Sequence, residues 1–197
     1  MSVKRLFDIA ASSTGLVLLS PFLLLLAIAV KIDSRGPVFF RQVRAGQFNR
    51  PFRILKFRTM VSDAEKIGAQ VSSGDDPRIT RVGGFLRKYK LDEFPQLINV
   101  LKGEMSIVGP RPEVPRFVAA YEDDYREILQ VKPGITDFAS LEYKDENELL
   151  KAAEDPERKY REEILPVKIA CYHRYLKERS LKTDVMLILK TLWGIIR

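Results

Sequence analysis

Two adjacent carboxylates, Asp92 and Glu93, lie in a basic stretch near the middle of the chain. A carboxylate can attack phosphorus, and a second carboxylate can hold a divalent metal beside phosphate oxygens. Adjacent side chains point in different directions, so the pair could divide these two tasks. The cations around the pair are Arg87, Lys88, Lys90 and Arg111. The pattern therefore indicates phosphoryl transfer, although an acidic pair at a helix start is also a common cap.

A short helix from Leu91 to Lys102 is expected to position the pair, with Asp92 as its N-cap and Gly103 at its end. Pro95 is compatible with the first turn of such a helix. The helix N-terminus would carry free N–H groups and a partial positive charge, which favour bound phosphate. Together with the nearby cations, this end would keep Asp92 ionised, as a nucleophile requires.

Strands are predicted on both sides of this helix. Residues 36–46 and 51–60 are rich in β-formers and indicate a hairpin with a turn between them. Residues 104–108 indicate a buried strand that leads into the stiff turn holding Arg111. Lys132 to Gly134 marks a further turn.

The predicted hairpin has a one-sided charge. Between residues 35 and 60 there are seven basic side chains and no acidic one. Such a surface suits anionic headgroups or a phosphate site, although a solvated edge hairpin would look similar. The interleaved aromatic residues could instead stack on single-stranded nucleic acid, which leaves a nucleic-acid-binding protein as an alternative. These residues are Phe39, Phe40, Phe48, Phe52 and Phe57.

The overall composition restricts the function classes. The 197-residue chain has a formal net charge of +7, which suits an anionic partner. Cys171 is the only cysteine, so no intrachain disulfide can form and a reducing compartment is expected. With His173 as the only histidine, a zinc site built from several His and Cys ligands is excluded.

An apolar segment lies near the N-terminus. Ile9 to Val30 are 22 residues without a charge, against roughly 20 needed to cross a bilayer as a helix. Pro21 should kink this helix, and the hydroxyl of Ser20 can bond a freed carbonyl. Basic residues flank both ends, so the charges define no direction of insertion. These features favour a re-entrant hairpin and leave a spanning helix open.

The C-terminal segment, residues 180–197, is amphipathic at helical spacing. Its shared apolar face consists of Leu181, Val185, Ile188, Leu189, Leu192 and Ile196. A helix packed on the core is the simplest interpretation. The alternative is a helix in the membrane interface, with Trp193 at the depth of the headgroups.

Several motifs occur in a fixed order along nearly the whole chain. They are the Ser20-Pro21 pair within the apolar segment and the stretches 56–60, 91–97, 99–103, 106–112 and 132–136. In these motifs the chain closely resembles the bacterial sugar transferase family, the small monotopic phosphoglycosyl transferases. It looks like the minimal catalytic unit, without the extra N-terminal membrane helices of larger relatives.

The resemblance implies an enzyme that transfers a sugar-1-phosphate from a UDP-sugar to undecaprenyl phosphate and releases UMP. This reaction is the first membrane step of exopolysaccharide, capsule, O-antigen or glycoprotein glycan assembly. The family's nucleophile, which forms a covalent aspartyl-phosphosugar intermediate in a ping-pong reaction, falls on Asp92. The ligand of its Mg2+ cofactor falls on Glu93. The predicted phosphate- and substrate-binding residues are Arg87, Arg111, Lys56 and Arg58.

The resemblance also implies an α+β fold at the cytoplasmic face of the bacterial inner membrane. Residues 1–34 would form a re-entrant helix-break-helix with the break at Ser20-Pro21. Residues 35–197 would form a cytosolic catalytic domain with a small β-hairpin, amphipathic helices at the membrane interface and an amphipathic C-terminal helix. The expected partners are a UDP-sugar, undecaprenyl phosphate and membrane lipids but no nucleic acid, and a homo-oligomer is left open. A membrane-anchored nucleic-acid-binding protein or scaffold is the alternative.

One stretch departs from the family pattern. Many members continue after Thr136 with Gly-Leu, whereas residues 137–141 here read Asp-Phe-Ala-Ser-Leu, followed by an acidic stretch at 145–148. The sugar contacts of this segment, and thus the identity of the sugar, are left open.

Overall fold

The computed structural model describes residues 2–64, 76–142 and 146–196. In these ranges the chain is a mixed helix-and-strand protein in which two small sheets lie among many helices. This confirms the predicted α+β class. The acidic stretch at 145–148 lies partly outside the described residues.

The apolar segment forms one long helix, α1 (Val3–Asp33), which continues through Pro21. Pro21 cannot donate to the carbonyl of Val17, and the hydroxyl of Ser20 donates to that oxygen instead, at 2.8 Å. The predicted bond of Ser20 is therefore confirmed. The predicted division into two helices is wrong, because the substitute bond lets the helix continue. In the described part of the chain, α1 is the one helix long and apolar enough to cross a membrane.

Both ends of α1 are bonded to the rest of the protein. Near its start, Arg5 donates to the carbonyl oxygens of Val100 and Leu101, at 2.5 and 2.8 Å. Near its end, the Asp33 carboxylate accepts from the backbone N–H of Val82, at 2.9 Å. The middle of the helix exposes large apolar side chains, namely Val17, Leu18, Leu24, Leu25 and Ile28.

The predicted hairpin is confirmed. Strands β1 (Phe39–Ala45) and β2 (Pro51–Phe57) pair in antiparallel register, with Phe39 opposite Phe57. The connection contains a 3-10 turn at Gln47–Asn49, where Phe48 and Asn49 both have a φ of 57°.

The centre of the chain contains helix α2 (Arg81–Lys88), a 3-10 turn (Leu91–Glu93) and helix α3 (Gln96–Lys102). Gly103 ends α3 in the left-handed conformation, with a φ of 86°, as predicted. Strand β3 (Ser106–Val108) follows and pairs in parallel with β4 (Gly134–Thr136). The sequence predicted only a turn at the start of β4, because three residues are too few for a visible alternation.

The remaining regular elements of the described chain are helices. They are α4 (Pro115–Ala120), α5 (Glu122–Ile128), α6 (Phe138–Glu142), α7 (Glu146–Lys151), α8 (Pro156–Lys159), a π-helical turn (Tyr160–Ile164), α9 (Leu165–Glu178) and α10 (Leu181–Ile196). The largest core cluster lies among these helices and includes the fully buried rings of Tyr125, Tyr172 and Tyr175. This core supports the end of β3, from which the turn with Arg111 begins.

Helix α10 does not bury most of its predicted apolar face. Asp184 and Leu187 point inward and are almost fully buried, at 1% and 0% exposure. The exposed side chains are Leu181, Val185, Leu189, Leu192 and Trp193. The interpretation as a plain core helix is therefore wrong for this face. The ion pair between Asp184 and Lys4, at 2.5 Å, helps to determine which side of the helix faces the protein.

Candidate active site

Glu93 is held between two cations from distant parts of the chain. Its Oε1 accepts from Lys56 Nζ of β2, at 2.6 Å, and from Arg111 Nη2. Its Oε2 accepts from Arg111 Nη1 at 3.2 Å. Burial by itself would raise the pKa of Glu93, but the two cations outweigh burial and hold the pKa well below the ordinary value of a glutamate. Glu93 is therefore a carboxylate held in its charged form by two cations, and it links β2 to the Pro-Arg-Pro turn.

Asp92 has a different environment. Its side chain is buried, yet no residue in the described ranges donates a hydrogen bond to its carboxylate. Burial raises the pKa of Asp92, and the charge of Glu93 adds to this effect, whereas Lys56, Arg87 and Arg111 oppose it. The cations therefore favour the ionised form of Asp92 as expected, but burial opposes them and determines the direction of the pKa shift. Such a carboxylate can react without first giving up a hydrogen bond.

The helix that was predicted to begin at Leu91 begins only at Gln96, so Asp92 is not its N-cap. Pro95 has no N–H and cannot bond the carbonyl of Leu91 in the α-helical pattern. The N–H of Phe94 bonds that carbonyl instead, at 3.4 Å, and closes a tighter turn. As a result the carboxylate pair lies in a 3-10 turn before the helix.

The turn that carries Arg111 is fixed by Asp137, a residue to which the sequence assigned no role. Asp137 is almost fully buried; its Oδ2 accepts from the backbone N–H of Arg111, at 3.0 Å, and its Oδ1 from that of Ser140, at 2.5 Å. Burial raises the pKa of Asp137, against the lowering effect of the bonds from Ser140 and the charge of Arg111. In the sequence, the departure from the family pattern at position 137 was the signal that could have pointed to this residue. Asp137 ties the Pro-Arg-Pro turn to the start of α6.

A close backbone contact brings this turn to β4. A Cβ on Gly109 would lie 2.5 Å from the carbonyl oxygen of Lys132, and a Cβ on Gly134 would lie 2.1 Å from the Gly109 nitrogen. No side chain fits at either position, so both glycines are needed for the approach. The turn with Arg111 is consequently attached to the parallel pair of strands on one side and to Asp137 on the other.

Lys56 is positioned through β2 by Asn99, which is fully buried in α3. The Asn99 side chain accepts from the N–H of Leu55 and donates to the carbonyl of Arg53, both at 2.9 Å. It therefore fixes the strand backbone directly beside Lys56. Sequence reasoning placed Asn99 in a family motif but predicted no function for it.

The remaining predicted site residues separate into two groups. Arg87 donates to the hydroxyl of Thr59 at 2.9 Å, and its charge acts on Asp92. Arg58 is buried elsewhere and donates to the carbonyl oxygens of Ser34, Arg35 and Pro37, at 2.7–2.8 Å, directly after α1. The structure therefore brings Lys56, Arg87 and Arg111 to the carboxylate pair and does not bring Arg58 there. The described bonds of Arg58 hold the chain where it leaves α1.

The donor set limits how a metal could bind. Within the described ranges there is no group of three or more His, Cys, Asp or Glu side chains that could hold a metal ion. Mg2+ commonly binds one or two protein carboxylates and completes its shell with phosphate oxygens and water. The pair of Asp92 and Glu93 fits this second form, with the metal arriving on a phosphorylated substrate.

The aromatic residues of the hairpin are only partly exposed. Phe52 and Phe57 are buried, with exposed fractions of 8% and 2%. Phe39 stacks on Phe57, with ring centroids 5.6 Å apart. Stacking on bases requires exposed rings, and of the five only Phe39 and Phe48 are exposed, at 36% and 57%.

Comparison with known proteins adds independent information. The sequence profile of the family described as bacterial sugar transferase matches residues 1–197. The chain is 40% identical over 195 residues to a UDP-N-acetylgalactosamine-undecaprenyl-phosphate N-acetylgalactosaminephosphotransferase of Aeromonas hydrophila, covering 96% of this chain and 43% of that protein. Over 147 residues it is 46% identical to a UDP-glucose:undecaprenyl-phosphate glucose-1-phosphate transferase of Escherichia coli K12, covering 71% of this chain and 31% of that protein.

A third relative is closer in length. It is a UDP-glucose:undecaprenyl-phosphate glucose-1-phosphate transferase of Caulobacter vibrioides, 39% identical over 193 residues, covering 95% of this chain and 67% of that protein. The chain thus spans less than half the length of the Aeromonas and Escherichia proteins and about two thirds of the Caulobacter one. The match over the whole chain, together with these identities, shows that the protein belongs to the bacterial sugar transferase family.

Proposed function

We propose that this protein is a phosphoglycosyl transferase that moves a sugar-1-phosphate from a UDP-sugar to undecaprenyl phosphate and releases UMP. The observation that carries the proposal is the buried Asp92 carboxylate, which lacks a hydrogen-bond donor in the described ranges and lies beside the cation-bound Glu93. The names of the relatives support the reaction class and include two different sugars. The sugar used by this chain is therefore left to experiment.

In the first step, an Asp92 oxygen attacks the sugar-linked phosphorus of the UDP-sugar. A bond from the Asp92 oxygen to phosphorus forms while the bond from that phosphorus to the bridging oxygen breaks, and the electron pair leaves with UMP. In the second step, a phosphate oxygen of undecaprenyl phosphate attacks the same phosphorus. The bond to Asp92 breaks and the free carboxylate returns, so each turnover consumes one molecule of each substrate.

The site cations stabilise the charge that moves during these steps. Arg111 and Lys56 are fixed by Glu93, and Arg87 by Thr59, so little reorganisation is needed when the diphosphate binds. Glu93 is the proposed protein ligand of a Mg2+ ion that arrives with the substrate. When bound, such an ion neutralises phosphate charge.

The bonds at the two ends of α1 support a helix that enters the membrane without crossing it. A helix of 31 residues is about 46 Å long, enough to cross a bilayer. However, Arg5 near its start and Asp33 near its end both bond to the folded domain. A helix spanning the bilayer would separate these ends by the hydrocarbon core. The proposed location is therefore the cytoplasmic face of the bacterial inner membrane, with the exposed apolar sides of α1 and α10 in contact with lipid.

The direct test of the activity is UMP release from a panel of UDP-sugars by the purified protein in detergent or nanodiscs. Polyprenyl phosphate and Mg2+ are supplied, and each is omitted in turn. We expect UMP release with at least one sugar, and without the acceptor a protein species heavier by one sugar phosphate in intact-mass measurement. Absence of UMP release with every UDP-sugar would contradict the proposed reaction, and release without the heavier species would contradict the covalent step.

A further inference from the structure

Lys90 is the residue directly before the turn that carries Asp92 and Glu93, and its backbone has an unusual conformation. Its φ is 53°, in the left-handed region that favours glycine or asparagine. Its own N–H bonds the carbonyl of Arg87, and its carbonyl accepts from the N–H of Glu93. Strained residues of this kind cluster at functional sites. A long cationic side chain at such a position suggests that the side chain itself has a function.

The ammonium group of Lys90 differs from those of the neighbouring cations. Lys56 and Arg111 are both bonded to Glu93, at an Nζ–Oε1 distance of 2.6 Å for Lys56. Within residues 2–64, 76–142 and 146–196, no side chain makes an ion pair or hydrogen bond with Lys90. The side chain is exposed, and its charge interacts with those of Arg111 and Glu93. Lys90 is thus an available cation at the edge of the proposed active site.

The charges at the carboxylate pair support an anionic ligand for this cation. The positive charges of Lys56 and Arg111 are offset by the Glu93 carboxylate that they share. The diphosphate of a sugar nucleotide carries two negative charges near neutral pH. Lys90 adds a positive charge for such a ligand, and no ion pair in the described ranges has to break for it to do so.

We infer that Lys90 binds the diphosphate of the sugar nucleotide and acts in the first half of the reaction. This inference rests on the proposed function, since it assigns a residue to the substrate of that reaction. None of the motifs that carry the family resemblance includes Lys90. The second half of the reaction, in which the polyprenyl phosphate attacks, needs no contact with Lys90.

The test compares Lys90→Met, Lys90→Arg and Lys90→Gly with the parent protein. Glycine relieves the left-handed backbone but removes the cation, so it separates a conformational role from a binding role. For kcat/KM of the UDP-sugar we expect a loss of about tenfold or more in Lys90→Met and Lys90→Gly, as for a lost charge-assisted bond, and a loss of under threefold in Lys90→Arg. The kcat/KM for polyprenyl phosphate should stay within twofold in all three variants.

Lys88→Met serves as the matched control. Lys88 is an exposed lysine two residues earlier that lies over the ring of Tyr89, at 5.5 Å from the centroid. Lys88→Met loses the same charge as Lys90→Met, and its kcat/KM values for both substrates should equal those of the parent protein. Thermal unfolding of every variant checks that the fold is retained.

A binding measurement separates this inference from the proposed reaction. UDP is titrated into Asp92→Asn and into Asp92→Asn/Lys90→Met by calorimetry, and the second protein should bind about tenfold more weakly. Parent-like kcat/KM in Lys90→Gly, equal UDP affinity in the two proteins, or an effect confined to polyprenyl phosphate would each overturn the role of Lys90. A parent protein that binds UDP but releases no UMP would overturn the reaction and leave the binding comparison valid. Absence of UDP binding by Asp92→Asn would overturn the role of Lys90 as well.

Discussion

The carboxylate turn and the contact region around the start of α1, which includes Asp184 of α10, both contain buried aspartates, but within the described ranges only Asp92 lacks a hydrogen-bond donor. Asp92, Asp8 and Asp184 are exposed by 9%, 2% and 1%. Asp8 accepts from Ser106 Oγ at 3.0 Å and from the N–H of Ile107 at 3.1 Å, and Asp184 accepts from Lys4 and from the Tyr175 hydroxyl. Asp92 has no such donor in the described ranges.

This difference shows that burial alone does not identify a reactive carboxylate. A buried carboxylate whose oxygens are bonded holds elements together, because its removal leaves donors without partners. A buried carboxylate without donors contributes little to stability and is available for chemistry. The two regions should therefore respond in opposite ways to the removal of a negative charge.

Asp92→Asn should have the largest effect on activity. The amide has no anionic oxygen to attack phosphorus, so we expect UMP release to fall by about 10³-fold or more. The unfolding temperature should stay at or above that of the parent, because burial no longer acts on a charge. The rate of UMP release and the unfolding temperature are measured on the same purified protein. Near-parental turnover by this variant would remove Asp92 from its role.

Glu93→Gln should have the next largest effect. It leaves Arg111 and Lys56 without their common carboxylate and removes the proposed metal ligand, so we expect a loss of about 10²-fold in rate. The concentration of Mg2+ needed for half-maximal activity should rise. A magnesium titration that matches the parent's would show that the metal is bound by other groups.

Asp137→Ala should reduce kcat/KM of the UDP-sugar by about tenfold, because the N–H of Arg111 loses its acceptor and the side chain moves from its position. Asp137→Asn keeps one acceptor oxygen and should recover part of this loss. The unfolding temperature of each variant is measured first, to check that the fold is retained. The kcat/KM values of the two variants for the UDP-sugar are then compared in the UMP assay. Equal activity of the alanine and parent proteins would contradict a positioning role for Asp137.

Asp184→Ala should lower stability and largely keep activity, which is the reverse of the result expected for Asp92→Asn. It breaks the bonds with Lys4 and Tyr175, and we expect a loss of about 2 kcal/mol in the free energy of unfolding, since Lys4 is partly exposed. Activity per folded molecule should remain within about threefold of the parent. Chemical denaturation and active-site titration measure the two quantities. A large loss of activity in a stable variant would show that the start of α1 takes part in the chemistry.

The smallest change is expected in a labelling experiment that tests on which side of the membrane α1 begins. A cysteine at Ser2, in a Cys171→Ser background, should stay unlabelled by a membrane-impermeant reagent in intact cells, because Arg5 and Asp8 hold this end on the domain. Replacing Ser20 and Pro21 together by Leu restores the backbone bond that Pro21 cannot make and makes the segment more apolar, so it should produce a minor labelled fraction. Strong labelling before this replacement would mean that the helix spans.

Local features of this protein could be predicted from the sequence, because they depend on neighbouring residues. The alternation of β-formers predicted the hairpin of β1 and β2, the glycine at 103 predicted the end of α3, and Pro21 predicted the bond of the Ser20 hydroxyl. The carboxylate pair and the motifs around it pointed to phosphoryl transfer and to the family. Lys56 and Arg111 were predicted for the site and lie on Glu93.

Tertiary structure alone decided which groups satisfy one another across long separations. Arg58 resembled a phosphate ligand by its motif, but its donors are used by carbonyl oxygens after α1. The apolar stripe of α10 faces outward because the Asp184 side of that helix bonds to Lys4, 180 residues away. Whether a buried carboxylate is satisfied depends on such distant donors, since hydrogen bonds require contact in space and the sequence order does not encode it. For this reason the contrast between Asp92 and Asp184 is visible only in the folded chain.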